Sequence, residues 1–304
     1  MKWLVGDDHR LHPISSPMKT LIDTGPSRRG WHRLEAHLRC PQLYAWGYGQ
    51  AGSSDSETVE RSRLRFPPGP PLVRGSIGHV GLAHLYARLQ AVQEGEDPNR
   101  FYLPLEAMGL VADSFGDLGL EMLSVATRVV GAYAKHFGRE KWKIIGVEKE
   151  EETHFGQYLY TARVDLEYQD RAGKIWFLDH KLVSKLEAKV LDRYTLSGQI
   201  LGLSHLGARK HGDRFGGVQL NLLGVNPTSF IRHVPDPAPW LLERFPELVK
   251  HAEEAISRTE DLIRQNLIVP ASPSEFTCYN SYGRCPAHEL CRWGTEASKS
   301  SILE

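Results

Sequence analysis

Carboxylate and ammonium groups meet at the ends of two apolar runs near the middle of the chain. Asp165 belongs to one short stretch, residues 163–166. A second stretch, residues 177–181, contains Asp179 and ends with Lys181. Residues two apart in a strand share a face, so Asp179 and Lys181 are predicted to lie together, where Asp165 can meet Asp179 across a hairpin. Such a set can hold a divalent cation and polarise a water molecule, as phosphodiester hydrolysis requires. A salt bridge on a hairpin face is the alternative interpretation.

Three further polar residues stand in order around these two runs. His79 lies in an apolar helical pattern, Glu148 ends the run of residues 144–147, and Gln199 opens another helical pattern. The order of helix His, strand Glu, strand Asp, Asp-x-Lys and helix Gln resembles the PD-(D/E)XK nuclease superfamily. Within that superfamily, the chain is most similar to the RecB-type and CRISPR-adaptation nucleases, over roughly residues 34–291.

Chemistry and the resemblance together give roles to the central residues. Asp165 and Asp179 are expected to be metal ligands, because hard divalent cations prefer carboxylate oxygens. Lys181 is expected to orient the attacking water or to stabilise charge that develops on the phosphate. The side chain of His180 is expected on the opposite face of its strand, so its backbone carbonyl is the predicted metal ligand.

The resemblance also implies roles for the flanking residues. His79 resembles the metal-binding histidine of the family, whereas His84 is expected to be a core residue. Glu148 resembles the upstream acid, which binds metal through water. Gln199 matches the family's glutamine, but Leu203 stands where that motif continues to a tyrosine. This departure concerns the surroundings of the scissile phosphate and leaves the metal ligands untouched.

Four cysteines flank this set of motifs. Cys40 precedes it, and Cys278, Cys285 and Cys291 follow it. One cysteine before the core and three after it resemble the iron–sulfur form of the same family. The resemblance implies a [4Fe-4S] cluster that joins the N-terminal and C-terminal segments, and four thiolates are the number that such a cluster needs.

Zinc and disulfide bonds are the alternatives to the cluster. Cys278, Cys285, His288 and Cys291 can form a local Cys3His zinc site, which leaves Cys40 as a buried thiol. The zinc interpretation leaves the family-like Arg-Cys-Pro-x-x-Tyr setting of Cys40 unexplained. Two disulfide bonds would need an oxidising compartment, but no signal peptide is visible and a cytoplasmic location is expected.

Composition sets the background for these motifs. The 304 residues are 41% hydrophobic, which suits one large domain, and no apolar run approaches the length of a membrane span, so no membrane partner is expected. The formal net charge is zero, so nucleic-acid binding would need local basic patches. The candidate patches are Arg61, Arg63, Arg65 and Arg74; Lys185, Lys189 and Arg193; and Arg209, Lys210, His211 and Arg214.

Hydrophobic periodicity predicts an α/β fold with a mixed central sheet flanked by helices, similar to the restriction-endonuclease core. The predicted helices are 34–46, 76–92, 113–137, 192–211 and 238–266, and the predicted strands are 143–154, 157–168, 174–181, 217–224 and 228–234. A long loop is predicted before the second helix, because the proline-rich residues 66–71 are expected to exclude a helix. One domain of residues 1–304 is expected, with an N-terminal helical part 34–142, a core 143–235, a cysteine-bearing part 236–294 and a frayed tail 295–304.

The resemblance implies a Mg2+- or Mn2+-dependent deoxyribonuclease. An exonuclease or end-processing enzyme of DNA recombination, repair or processing is expected, acting on single-stranded DNA or on duplex ends. Protein partners in a recombination or adaptation complex are also expected. Two alternatives remain: a catalytically quiet nucleic-acid-binding adaptor with the same fold, and a zinc-structured protein in which the motif is coincidental.

Overall fold

A five-stranded mixed sheet with helices on both faces forms the centre of the protein, which confirms the predicted α/β fold. The computed structural model describes residues 3–5, 11–13, 19–48, 68–138, 140–280 and 283–299. The sheet order is β3-β4-β5-β6-β7, and the β5–β6 pair is parallel while its other pairs are antiparallel. Its strands are β3 Lys143–Phe155, β4 Tyr158–Gln169, β5 Ile175–Val183, β6 Phe215–Gly224 and β7 Ser229–His233. The small pairs are β1 Trp3–Val5 with β2 Leu11–Pro13, and β8 Tyr279–Asn280 with β9 Gly283–Arg284.

The helices pack in two layers on the two faces of the sheet. Those of the first half are α1 Trp31–Arg39, α2 Pro41–Gly47, α3 Pro70–Glu94, α4 Pro104–Asp113 and α5 Gly116–Phe137. Those of the second half are α6 Ala188–Thr195, α7 Gly198–His211, α8 Pro239–Arg264, α9 Glu275–Cys278 and α10 His288–Lys299. Within the part of the chain that the structure describes, no helix combines the length and apolarity that a membrane crossing requires.

Prolines account for two differences from the sequence prediction. Pro70 and Pro71 begin α3, because a proline in the first helical turn gives up an N–H that has no intrahelical partner. The prediction that these prolines exclude a helix was therefore wrong. The predicted helix 34–46 is two helices, since Cys40 is extended, at φ −163°, before Pro41 begins α2. Residues 49–67, with Arg61, Arg63 and Arg65, lie outside the described residues.

Other boundaries also differ from the prediction. The predicted helices 113–137 and 192–211 are each interrupted, near Gly116 and near Ser197 respectively. The predicted frayed tail was wrong over its first part, because α10 continues to Lys299. The last five residues of the chain lie outside the described residues.

The two helical layers enclose separate hydrophobic cores. Helices α3, α4 and α5 cover one face, called here the α3 layer, and helices α1, α2, α7 and α8 cover the other, called the α8 layer. Adjacent residues of β5 point into different layers, with Phe177 in the α8 layer and Leu178 in the α3 layer. This is the alternation expected of a strand that is buried on both faces.

Strands β4 and β5 separate in the middle of the sheet. Their pairing runs from Gln169 and Ile175 to Leu166 and Leu178 and stops there, although both strands continue. The gap beyond the last pair is called here the fork. Asp165, from β4, is the first residue past the end of the pairing and so borders the fork.

The neighbouring β3–β4 pair is irregular at the same level. Its regular register includes neither Glu148 nor Asp165, and Glu148 has a φ of +50°, which is uncommon for a residue other than glycine. Val164 packs into the α8 layer whereas Leu166, two residues on, packs into the α3 layer. The alternation of side chains between the two cores therefore shifts by one residue at Asp165. The side chain of Asp165 lies between the two faces of the sheet.

An extended segment, residues 19–29, crosses from α3 to β4 beside the fork. His84 of α3 is fully buried, as predicted for a core histidine, and its Nε2 accepts a hydrogen bond from the backbone N–H of Ile22 at 3.2 Å. Burial lowers the pKa of His84 to about 4. The neutral ring, which can accept this hydrogen bond, is therefore the form present near neutral pH.

The buried His84 predicts a component of the pH dependence of stability. Its pKa is lower in the folded than in the unfolded protein, so its contribution is present above the unfolded value of about 6.5 and is lost as pH falls towards 4. Between pH 7 and pH 5, the free energy of unfolding should fall by about 2 kcal/mol more in the wild type than in His84→Gln. Urea unfolding at the two pH values measures this difference. Equal pH dependence in the two proteins would contradict the prediction.

Candidate active site

The fork brings the central predicted residues into contact. The ammonium nitrogen of Lys181 lies 2.8 Å from Oδ1 and 2.7 Å from Oδ2 of Asp179. Gln199, near the start of α7, donates from Nε2 to Oδ1 of Asp179 at 2.8 Å. The Asp179 carboxylate is thus held by two donors from two different elements. The structure places Asp179 and Lys181 together, as their spacing in the strand predicts, and brings Gln199 to the same carboxylate.

A second group of side chains adjoins this one and has the composition of a metal site. His79, Glu148 and Asp165 offer ligand atoms that all lie within 4.8 Å of one another. Nδ1 of His79, from α3, lies 3.4 Å from Oδ2 of Asp165. Imidazole and carboxylate are ligands for Mn2+ and related divalent ions, so these residues fit such an ion. Asp179 stands beside the group, although its carboxylate faces Lys181.

The carboxylates of this group repel one another in a poorly solvated space. Burial raises the pKa of Glu148 to about 10, and the nearby charge of Asp165 contributes to the rise. Burial also raises the pKa of Asp165, and the charge of Asp179 adds to it. Without a cation, the ionised forms are therefore disfavoured, and a bound divalent cation would favour them.

Lys181 supplies a positive charge inside the fork. Burial lowers its pKa, but the charges of Asp179 and Asp165 outweigh burial and hold the pKa above its usual value. Its side chain is 23% exposed, so the ammonium group can reach a ligand that enters from solvent. A protonated amine donates hydrogen bonds and stabilises negative charge, and does not accept a proton.

His180 contacts the site through its backbone and the α3 layer through its side chain. Its backbone N–H donates to Oδ2 of Asp165 at 2.7 Å, which fixes that carboxylate. Its ring stacks on Tyr86, with centroids 5.7 Å apart, and Nδ1 lies 2.7 Å from Nδ2 of Asn221. Burial holds the pKa of His180 well below its usual value, so the ring is neutral. The ring packs away from Asp179 and Lys181, and the role of the backbone carbonyl as a ligand stays a prediction.

Tyr194 is a neighbour of Lys181 that the sequence motif did not reveal. The negative charge of its ionised form makes a small contribution to the raised pKa of Lys181, after the larger ones of Asp179 and Asp165. Leu203, at the position where the resembling motif has a tyrosine, is buried in the α8 layer. A tyrosine in α6 thus stands near the site although α7 lacks one. The amphipathic pattern of residues 188–195 offered no signal that would single out this residue.

Arg163 and Asp23 form a second unpredicted pair at the fork. Nη2 of Arg163 lies 3.0 Å from Oδ2 of Asp23, and Nη1 donates to the backbone carbonyl of Asp23. Both charges act on Glu148, with Arg163 lowering and Asp23 raising its pKa. The contact spans 140 positions in sequence, which is why local patterns do not show it.

The third predicted basic patch makes contacts within the protein. Nζ of Lys210 lies 3.0 Å from the buried carboxylate of Glu167, and Nε2 of His211 lies 2.7 Å from the same group. Arg209 donates to Oγ1 of Thr153 at 2.7 Å. These three side chains of α7 therefore fasten the helix to the sheet.

The four cysteines lie close enough for their charges to act on one another. Burial raises the pKa of the Cys291 thiol, and the nearby Cys40, Cys285 and Cys278 raise it further, in that order. Cys40 is buried and accepts a hydrogen bond from the backbone N–H of Ser272 at 3.4 Å. Cys40, at the break between α1 and α2, thus contacts the segment that precedes the C-terminal cysteines.

The spacing of these thiols bears on the metal that they fit. Among the described residues, no three cysteine sulfurs, or cysteine and histidine ligand atoms, lie within 4.8 Å of one another. Tetrahedral zinc with Zn–S bonds of about 2.3 Å needs sulfurs about 3.8 Å apart. His288, the fourth ligand of the zinc alternative, instead contacts the Tyr279 hydroxyl at 3.1 Å and Glu289 at 3.2 Å. Among these described residues, the thiols and His288 therefore do not form a compact tetrahedral group.

Comparison with known proteins adds little to this geometry. No protein-family model and no curated protein sequence matches the chain. Among solved structures, it is similar to SSO0001, at 16% identity and a TM-score of 0.30, over 59% of this chain and 74% of that one. It is also similar to a "putative exonuclease" from Eubacterium rectale, at 10% identity and a TM-score of 0.40, over 77% of this chain and 84% of that one. These scores are too low to assign a function.

Metal binding at the fork predicts a ligand-dependent rise in stability. Mn2+ should raise the melting temperature of the wild type, because it binds the folded state. His79→Ala and Asp165→Asn should each weaken Mn2+ binding by more than the roughly ten-fold that loss of an outer-shell partner costs. Isothermal titration with Mn2+ measures this, with His251→Ala, an exposed histidine of α8, as the matched control. Unchanged Mn2+ affinity in both site variants would contradict the assignment.

Proposed function

We propose that the protein is a metal-dependent DNA nuclease that hydrolyses phosphodiester bonds. The observation that carries the proposal is the convergence at one fork of the group His79, Glu148 and Asp165 with the Asp179–Lys181 pair. A salt bridge on a hairpin face does not need a histidine from α3 and a glutamate in a left-handed conformation beside it. A site that binds a cation next to a fixed ammonium group accounts for all five residues.

The metal ligands would be His79, Glu148 and Asp165, with Asp179 beside them. When bound, Mg2+ or Mn2+ would polarise the phosphate and lower the pKa of the attacking water. The protein's own part is to hold these oxygens and the imidazole close together before any ligand arrives. The hydrogen bond from the His180 backbone to Asp165 does this directly.

Lys181 would act on the phosphate. Because its ammonium group stays protonated between Asp179 and Asp165, it can donate to an oxygen on which negative charge develops in the transition state. Asp179 holds Lys181, and Gln199 holds Asp179, so the donor is fixed before the substrate binds. Such preorganisation is a main source of rate enhancement.

Cleavage of DNA tests the proposal. Purified protein should degrade DNA only when Mg2+ or Mn2+ is present, and Lys181→Met and Asp179→Asn should each lower the rate on the order of a hundred-fold. Lys143→Met, an exposed lysine at the start of β3, is the matched control and should keep the wild-type rate. A nucleic-acid-binding adaptor would instead bind DNA without cleaving it under any metal condition.

The form of the DNA separates the proposed exonuclease from an endonuclease. An exonuclease or end-processing enzyme degrades linear DNA and leaves circular single strands and closed duplexes intact. Degradation of circles at the rate of linear DNA would exclude the exonuclease and leave the nuclease proposal standing. The expected partners in a recombination or adaptation complex, and the expected cytoplasmic location, stay predictions.

We further propose that Cys40, Cys278, Cys285 and Cys291 hold a [4Fe-4S] cluster. The mutual approach of the four thiols supports this, since a zinc site at the C-terminal segment would not need Cys40. When bound, the cluster would join the α1–α2 break to the C-terminal segment. Such a cross-link closes a very long loop and restricts the unfolded chain.

Metal analysis distinguishes the cluster from zinc. Protein purified without oxygen should be brown with about four irons per chain, and Cys40→Ser should lose the iron and the colour. His288→Ala is the informative partner variant: it should keep its iron, whereas a Cys3His zinc site would lose its metal. Colourless protein with about one zinc, retained in Cys40→Ser and lost in His288→Ala, would establish the zinc alternative.

A further inference from the structure

Arg74 lies where α3 approaches the end of β5, the two elements that carry His79 and Lys181. It belongs to α3, five residues before His79, and its Nη2 lies 3.4 Å from Oγ of Ser184, which directly follows β5. Helix and strand are close here, since a Cβ atom on Gly78 would come within 2.4 Å of the Leu182 side chain. Arg74 and Ser184 thus meet at the contact between α3 and β5, five residues before His79 and three residues after Lys181 in sequence.

The guanidinium group of Arg74 has no carboxylate partner among the described residues. Its Nε is buried without a hydrogen-bond partner there, and burial, with no compensating negative charge, lowers its pKa. Two other arginines of low exposure have carboxylate partners: Arg33 pairs with Glu253, and Arg232 pairs with Glu140. A partly desolvated charge without a counter-ion is costly, and a bound anion removes that cost.

The shape of this small site favours phosphate. A guanidinium group offers parallel N–H donors in a planar fork that matches two phosphate oxygens. Ser184 is exposed, and because its Oγ accepts from Arg74, its own proton is available for the same anion. Lys185 follows immediately in sequence and adds a positive charge next to Ser184.

We propose that Arg74, together with Ser184, binds a backbone phosphate of the nucleic-acid strand a short distance from the scissile bond. The inference rests on the proposed nuclease function and adds a residue that positions the strand beside α3. It contrasts with a structural role, in which Arg74 would fasten α3 to the end of β5. A single 3.4 Å hydrogen bond to an exposed serine is a weak fastening.

Binding without turnover tests this role. Fluorescence anisotropy with a labelled single-stranded oligonucleotide, in Ca2+ in place of Mg2+, gives Kd at several salt concentrations. Arg74→Met should raise Kd about ten-fold and lower the slope of log affinity against log salt by about 0.7, the value for one phosphate contact on a single strand. Arg74→Lys should keep the slope but not the full affinity, because it retains the charge and loses the bidentate geometry. Arg171→Met, an exposed arginine in the turn before β5, is the matched control.

The thermal stability of the variants distinguishes phosphate binding by Arg74 from a structural role, in which it would fasten α3 to the end of β5. The melting temperature of Arg74→Met without DNA should equal or exceed that of the wild type, because an uncompensated charge is removed. Ser184→Ala, which changes only the serine hydroxyl, should raise Kd two- to three-fold and keep the salt slope. A fall of several degrees in Arg74→Met with an unchanged salt slope would establish the structural role and overturn the inference.

Failure of the inference is separable from failure of the proposed function. If wild-type protein binds and cleaves DNA and Arg74→Met matches it in Kd, slope and rate, only the role of Arg74 is overturned. If wild-type protein neither binds nor cleaves DNA with Mg2+ or Mn2+, the nuclease proposal fails and the inference falls with it.

Discussion

Repulsion between carboxylates in a poorly solvated fork is the interaction on which the rest of the structure depends. Glu148 and Asp165 have raised pKa values because they are buried and close together, and Asp179 stands beside them. Lys181 offsets part of this charge by its contact with Asp179. The ionised forms of the remaining carboxylates are disfavoured without a cation. The proposed divalent cation would remove this cost.

Two helical layers hold this unfavourable arrangement in place. A buried ion pair joins two helices of the α8 layer. Arg33 of α1 lies 2.6 Å from Glu253 of α8, and the hydroxyl of Tyr44 donates to Glu260 at 2.6 Å. Removal of one partner of such a pair would leave an uncompensated buried charge. The same contacts keep the α1–α2 break, with Cys40, against the C-terminal half of the chain.

The parts of the site that sequence predicted are those that depend on local periodicity. Asp179 and Lys181 share a face because they are two apart in a strand, and Gln199 begins a helix whose apolar pattern is clear. The Arg163–Asp23 contact was not predictable, since it joins segments 140 positions apart. The start of α3 was missed because Pro70 was taken as a breaker, although the first helical turn tolerates proline.

The left-handed backbone of Glu148 has a consequence for how the protein can change. The residue supplies a carboxylate and lies opposite Asp165, where the side chains of β4 change from one core to the other. A β-branched residue here would suit a regular hairpin better, and restored alternation would turn Asp165 into one of the cores. One position thus carries both a carboxylate of the site and the backbone irregularity of the strand pair. Drift towards a more regular, more stable hairpin would erase the site in a single step, even with every other ligand retained.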